Sequence, residues 1–303
     1  MESLNKWLVG LDLTDLDQSI IKYTKLLSDV LHPQHIEFVY VAHRLSDSVH
    51  IHMPQSLKYP SHEELGKIVE EEVFKYFSED DPVSCKILDG TVKFDLWRES
   101  YIRDIDLFIA GSKPKHKGRG LFPKKFVRKS FCSVLFIPEE TPESISKIWV
   151  PIDFSDSSGE ALNQALHLSQ TAEPPAQVYA HHVYQLPHLY YYEGFPRVDI
   201  MRAVRQEAEN QYVEFVKKYN PNTLPLISYF TELIQSHAAN SIKQEAERQS
   251  ADLIVMAAGG KSRFSRFFLG SETEELLQTE KKVSLLILKK KMEHVRLWDL
   301  VNP

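Results

Sequence analysis

The stretch KWLVGLDLTD, residues 6–15, returns 141 positions later as KIWVPIDFSD, residues 147–156. Each copy is an apolar run that ends at an aspartate, followed after one residue by Thr or Ser and a second aspartate. Two later matches keep the same order, IDLFIA with ADLIVM at 105–110 and 251–256, and CSVLFI with VSLLIL at 132–137 and 283–288. A long period of this kind indicates two copies of one domain rather than a short-period solenoid.

The boundary between the copies is predicted at PEETP, residues 138–142, a polar stretch with a proline at each end. We expect one domain over residues 1–142, a second over 143–290 and a C-terminal tail over 291–303. Two domains also suit a chain of 303 residues, because a domain usually takes roughly 100–200 residues.

Apolar runs alternate with helical patterns within each copy. The runs are continuous rather than alternating with polar residues, which is typical of strands buried on both faces of a mainly parallel sheet. They lie at 7–13, 36–42, 83–88, 107–110 and 134–137 in the first copy, and at 148–152, 178–183, 226–230, 253–256 and 283–288 in the second. Each copy is therefore predicted to be a doubly wound α/β domain with a five-stranded, mainly parallel sheet flanked by helices. Ligands of such sheets bind beyond the carboxyl ends of the strands, where the strand order reverses.

Composition excludes several classes of protein. The chain is 43% hydrophobic and 26% charged, as expected of a soluble globular protein. Its formal charge of −6 argues against a chain-wide nucleic-acid binder. The apolar runs are far shorter than the ~20 residues that span a bilayer, and no secretory leader is recognisable, so we expect a cytoplasmic protein. Cys85 and Cys132 are then expected to be reduced, buried thiols.

The segment after the fourth strand of the second copy, AAGGKSRFSRFFLGS at 257–271, places small-residue turns on both sides of a basic and apolar stretch. Small residues allow a backbone to approach a ligand closely, and the N–H groups of a helix start point at anions. Lys261, Arg263 and Arg266 could offset phosphate charge. The alternative is structural, since Ser271 and Glu274 have the spacing of a capping box that satisfies the helix start locally.

This segment resembles the nucleotide-binding signature of the universal stress protein family. Gly260, nine intervening residues, Gly270 and Ser271 fit the signature, while Ala257 stands where its first glycine belongs. Together with the repeated strand-one pattern, the resemblance covers nearly the whole chain as a tandem member with the adenine nucleotide alpha hydrolase-like fold. It implies that the second half binds ATP or a related adenine nucleotide, with Mg²⁺.

The resemblance also implies roles for the residues that follow the first and second strands of this half. Pro151, Ile152 and Asp153 would border the adenosine, with Asp153 near the ribose and phosphates. Backbone groups of Val183 would meet the adenine edge. The alternative for Asp153 is a helix N-terminal cap or a solvated acid at the end of a strand.

Residues around the fourth strand would hold the rest of the ligand. Met256 and Ala257 would form the floor of the ribose pocket. Gly260, Gly270 and Ser271 would hold the phosphates through backbone N–H groups and the hydroxyl. Because Ala257 replaces a glycine, its methyl group could crowd the sugar or tighten the turn.

The first copy departs further from the signature. Gly111 takes the first glycine position, but Pro114 takes the second, and Lys124 and Lys125 fall where Gly-Ser should be. Without the second small-residue turn, the first half is predicted to have lost the site.

A strongly basic loop occupies residues 113–129, with eight lysines and arginines and no acidic residue. On an acidic chain it could hold an anionic or protein partner. The alternative is a solvated loop of fixed charge.

Three histidines after the second strand of the second copy are another candidate site. His181, His182 and His188 could suggest a metal, but adjacent residues on a strand point to opposite faces, so we expect structural histidines.

Two functions follow from these patterns. The first is a stress-responsive sensor that binds one nucleotide and at most hydrolyses it slowly, because no general base or arginine finger is identifiable. The alternative is a nucleotide-free scaffold for protein–protein contacts. The resemblance further implies an intramolecular pseudo-dimer that pairs residues 134–137 with 283–288, with a further homodimer left open.

Overall fold

The computed structural model of the chain describes residues 4–42, 60–90, 92–112, 126–128, 130–186, 196–233, 237–259, 271–278 and 282–289. Within these ranges the ten strands are β1 Lys6–Leu11, β2 His35–Ala42, β3 Val83–Asp89, β4 Leu107–Gly111, β5 Ser133–Ile137, β6 Lys147–Pro151, β7 Gln177–Tyr184, β8 Ile227–Glu232, β9 Leu253–Ala257 and β10 Ser284–Leu288. The helices are α1 Leu16–Leu31, α2 His62–Val73, α3 Val92–Ile102, α4 Asp156–Thr171, α5 Arg197–Tyr219, α6 Ala238–Arg248 and α7 Ser271–Gln278. The predicted α/β class is confirmed, and every predicted strand is present with small shifts at its ends.

All ten strands form one sheet in the order β3-β2-β1-β4-β5-β10-β9-β6-β7-β8. Each half contributes five strands, and the described pairings within each half are parallel. The halves meet where β10 pairs antiparallel with β5, Leu286 lying opposite Leu135. This confirms the predicted pairing of the last strands and gives the sheet a pseudo-two-fold centre.

Two apolar layers, one on each face of the sheet, cross the boundary between the halves. Side chains of β1 and β6 alternate between the layers, as pleated strands require. Trp7 and Ile148 belong to the layer under α1, α2, α4 and α5, whereas Leu8 and Trp149 belong to the layer under α3, α6 and α7. Because each layer contains residues from both halves, the pseudo-dimer shares its core.

Local polar groups set the helix ends. Ser61 and Glu64 form a reciprocal capping box at the start of α2. Ser155 caps α4 by accepting the N–H of Ser158 at 3.2 Å. His32 ends α1 in the left-handed conformation, its N–H donating to the Ser28 carbonyl.

The repeat extends to hydrogen bonds that join distant parts of each half. The Asp106 carboxylate accepts the N–H groups of Asn5 and Lys6 at 3.0 and 2.9 Å. The Asp252 carboxylate accepts those of Ser146 and Lys147 at 2.7 and 2.9 Å. Each aspartate thus clamps the amino end of its own first strand to the residue before its fourth strand.

Lys289, just after β10, joins the two halves. Its Nζ donates to the carbonyl oxygens of Val127 and, at 2.8 Å, Ser130, and its N–H donates to Ser133 Oγ at 3.2 Å. Burial lowers the pKa of Lys289 to about 8, partly offset by the nearby Cys132. The lysine holds the segment before β5 against the end of β10.

Candidate functional site

The strand order of the second half reverses between β6 and β9, and the pairing of these two strands ends early at their carboxyl ends. Only two residue pairs join β6 to β9 among the described pairings, the second being Trp149 with Ile254. In the first half, four pairs join β1 to β4, and the last is Gly10 with Ala110. The strand pairing of the second half therefore ends two residues earlier than that of the first half, at the point where doubly wound sheets bind ligands.

Pro151 provides the physical reason why the pairing of β6 with β9 ends early. Ile152 donates its N–H to the His181 carbonyl at 2.8 Å, so residue 152 faces β7. The alternation of a strand then turns residue 151 toward β9, and a proline has no N–H to donate there. Gly10, which occupies the same place in the repeat, keeps its N–H, and its ladder continues.

The end of β7 presents backbone groups beyond the end of β6. The Tyr184 carbonyl accepts the N–H of Leu233 on the β8 side, so Val183 faces the β6 side, past the end of that strand. The residue opposite Val183 in register is Asp153, but its N–H is directed to Ser158 Oγ at 3.4 Å. The Val183 N–H and carbonyl therefore point toward the space beyond β6.

Asp153 contributes to the start of α4. Its Oδ1 accepts the Ser155 N–H at 3.0 Å and the Ser155 hydroxyl at 2.5 Å. The helix cap is therefore Ser155, and Asp153 fixes the orientation of that cap rather than being the cap itself. Between them, Phe154 adopts a left-handed φ of 62°, as Leu13 does at 57° in the first half. Such backbone strain is common at ligand sites.

The end of β9 forms the other side of the strand-order reversal. Met256 is buried and Ala257 is half-buried. Thr273 Oγ1 donates to the Ala257 carbonyl at 3.3 Å, which places the first turn of α7 against the end of β9. Glu272 in that turn accepts the N–H of Ala239 at 2.5 Å.

Most of the predicted site residues are brought together at this edge. Pro151, Ile152, Asp153, Val183, Met256 and Ala257 all lie at the carboxyl ends of the neighbouring parallel strands β6, β7 and β9. Ser271 begins α7, but its side chain and that of Glu274 lie outside the described atoms, so the capping box stays a prediction. Gly260 and Gly270 lie outside the described residues, as do Lys261, Arg263 and Arg266.

Of the three histidines considered as a metal site, His181 and His182 are described, and both make hydrogen bonds within the protein. Trp149 Nε1 donates to His181 Nδ1 at 3.0 Å, so the ring proton is on Nε2 and is donated to Thr231 Oγ1 at 2.8 Å. Burial lowers the pKa of His181 to about 4, which keeps the ring neutral. His182 lies on the opposite face and donates from Nδ1 to the Ile152 carbonyl at 2.9 Å.

The described ranges contain no group of three or more His, Cys, Asp or Glu side chains that could hold a metal ion. His188 is beyond those ranges. Of the basic loop, only residues 126–128 are described, so its proposed partner stays a prediction. No helix in the described part of the chain is long and apolar enough to cross a membrane.

The first half differs at the corresponding place, which sequence reasoning had not identified. Leu16, at the start of α1, lies against Gly111 at the end of β4. A Cβ atom on Gly111 would meet Leu16 Cδ2 at 2.3 Å and Ile20 Cδ1 at 3.0 Å. Aligning the two copies places Ser157 at the position of Leu16, and that alignment was the available signal.

Comparison with known proteins agrees with this architecture. Residues 144–288 match the model of the universal stress protein family. A universal stress protein of Methanocaldococcus jannaschii is 30% identical over 148 residues, which are 48% of this chain and 84% of that protein.

Two solved structures match over both halves. A universal stress protein from Archaeoglobus fulgidus DSM 4304 has a TM-score of 0.63 at 15% identity, over 95% of this chain and 97% of that chain. A functionally unknown protein from Pseudomonas aeruginosa PAO1 has a TM-score of 0.65 at 15% identity, over 95% and 94% of the two chains. These likenesses show the tandem fold.

Proposed function

Because the chain belongs to the universal stress protein family, we propose that its second half binds one adenine nucleotide, ATP or a relative of it, together with Mg²⁺. The protein then acts in the cytoplasm as a stress-responsive sensor whose output depends on the bound nucleotide. Any hydrolysis is slow and is not the main function.

The observation that carries this proposal is the early end of the pairing between β6 and β9. The strand pairing at the strand-order reversal has two residue pairs in the second half, against four in the first, which supports a gap there. A flat ligand needs such a gap to reach strand-end backbone groups, and the missing N–H of Pro151 removes the bond that would close it.

The backbone of Val183 suits the adenine edge. Adenine presents an amino donor beside a ring nitrogen acceptor, and one extended residue presents an acceptor and a donor on the same side. Val183 faces the space beyond β6 with both groups, because Asp153 has left the strand. Base recognition through backbone would depend on the position of residue 183 rather than on its side chain.

The phosphates of the bound nucleotide would lie at the start of α7. Ser271 begins that helix, and the N–H groups of a helix start carry a positive partial charge. Gly270 would let the chain approach the phosphates closely. Met256 and Ala257 would contact the ribose, and Asp153, at the opposite wall, would approach the ribose and Mg²⁺.

Calorimetric titration of the full chain tests this function. ATP, ADP, AMP, cyclic AMP and GTP are compared with Mg²⁺ present, and the ultraviolet 260/280 ratio of purified protein reports any nucleotide already bound. We expect one adenine-selective site per chain. Gly270→Val should weaken binding, because a β-branched side chain obstructs the turn and the phosphates.

Gly66→Val is the matched control, because a Cβ on Gly66 in α2 would meet nothing within 4 Å. Two equivalent sites per chain would contradict the loss of the first-half site. Absence of binding by all five nucleotides would refute the proposal and favour the nucleotide-free scaffold.

A further inference from the structure

We infer that one position at the start of the first helix of each half contributes to whether that half admits a nucleotide. Leu16 closes the first half, and Ser157 keeps the second half open. The inference rests on the proposed function, and it assigns a specificity-determining role that lies outside the phosphate-binding loop.

The first-half contact is defined by Gly111. The carbon nearest to the site of its absent Cβ is Leu16 Cδ2 at 2.3 Å, followed by Leu16 Cγ at 2.8 Å and Ile20 Cδ1 at 3.0 Å. Leu16 is only 5% exposed. Its side chain therefore packs over the end of β4, in the apolar layer beneath α1, and on this inference a ligand of this half would need part of that volume.

The two halves share the register that makes Ser157 the counterpart of Leu16. The Asp17 carboxylate accepts the N–H groups of the two residues after β1, at 2.7–3.2 Å. Ser158 Oγ faces the N–H of Asp153, the first residue of the corresponding turn, at 3.4 Å. Asp17 and Ser158 are thus equivalent, and the residues before them, Leu16 and Ser157, occupy equivalent positions.

The smaller Ser157 replaces Leu16 at this helix position in the second half, while the strand residue opposite becomes larger. Ala257 occupies the place of Gly111, and α4 packs on β9 as α1 packs on β4. An alanine methyl would collide with a leucine there but has room opposite a serine. The departure of Ala257 from the family's glycine is therefore compatible with an open cleft, because Ser157 leaves the volume that Leu16 occupies in the first half.

The test places a leucine in the second-half cleft. Ser157→Leu should lower the affinity of the full chain for Mg²⁺–ATP by at least about tenfold, because the side chain would occupy the ligand volume. Asn163→Leu is the matched control, since residue 163 is exposed on the same helix, and it should change affinity by less than about twofold.

A graded series keeps the test valid if Ser157→Leu does not fold, which circular dichroism would reveal. Ser157→Ala should bind like wild type, since it removes only the hydroxyl, and Ser157→Val should fall between Ala and Leu. Wild-type affinity in the Val and Leu variants would overturn this inference while leaving the proposed function intact. A wild-type chain that binds no adenine nucleotide would overturn both.

Discussion

Gly111→Ala should destabilise the first half, and the structure gives the size of the effect. Gly111 lies outside the left-handed region of backbone space, so alanine is conformationally allowed and the cost is steric. The added methyl would lie 2.3 Å from Leu16 Cδ2 and 2.8 Å from Leu16 Cγ. Overpacking of a buried site costs about 1–3 kcal/mol.

Leu16→Ala in the same chain should relieve that collision. By itself it removes a buried side chain and should cost about 2–5 kcal/mol. In the double variant the alanine at 111 should occupy part of the vacated space. The combined cost should therefore fall short of the sum of the single costs by about 1–2 kcal/mol.

Guanidinium denaturation followed by tryptophan fluorescence measures the four free energies of unfolding, provided that the m-values agree. Gly66→Ala is the control, because its Cβ would meet nothing within 4 Å and alanine favours a helix interior by roughly 1 kcal/mol over glycine. A neutral Gly111→Ala variant, or strictly additive costs in the double variant, would refute the packing that we assign to Leu16.

Three further outcomes are expected. Burial lowers the pKa of His181 from 6.5 to about 4, so between these pH values the folded state binds fewer protons than the unfolded state. The free energy of unfolding should therefore fall by roughly 3 kcal/mol as the pH drops through that window. The fall should be smaller in a His181→Gln variant. Gly159→Ala should cost about 1–3 kcal/mol, because its Cβ would lie 2.3 Å from the Tyr219 ring; an unchanged melting temperature would contradict this. Reversing Lys124 and Lys125 to glutamate should weaken salt-sensitive binding to an anionic surface but leave nucleotide affinity unchanged, and a large loss of nucleotide affinity would place the basic loop in the nucleotide site.

Much of the fold could be predicted from the sequence because its signals are local. Continuous apolar runs mark strands buried on both faces, and the match of residues 6–15 with 147–156 marks the repeat. The same runs predicted where the first two strands of the second half end, and the resemblance to the family then singled out Pro151, Asp153 and Val183 there. These predictions need only residue spacing along one strand or between two copies.

Only the tertiary structure shows in which half the pairing at the strand-order reversal ends early. Whether Pro151 interrupts a ladder depends on which neighbour residue 151 faces, and that is fixed by the pairing of Ile152 with β7. Whether Leu16 packs against Gly111, almost a hundred residues away, likewise depends on how α1 lies on β4. Strand registers and side-chain contacts of this kind arise from long-range packing, so the sequence could indicate the candidate residues but not the spaces between them.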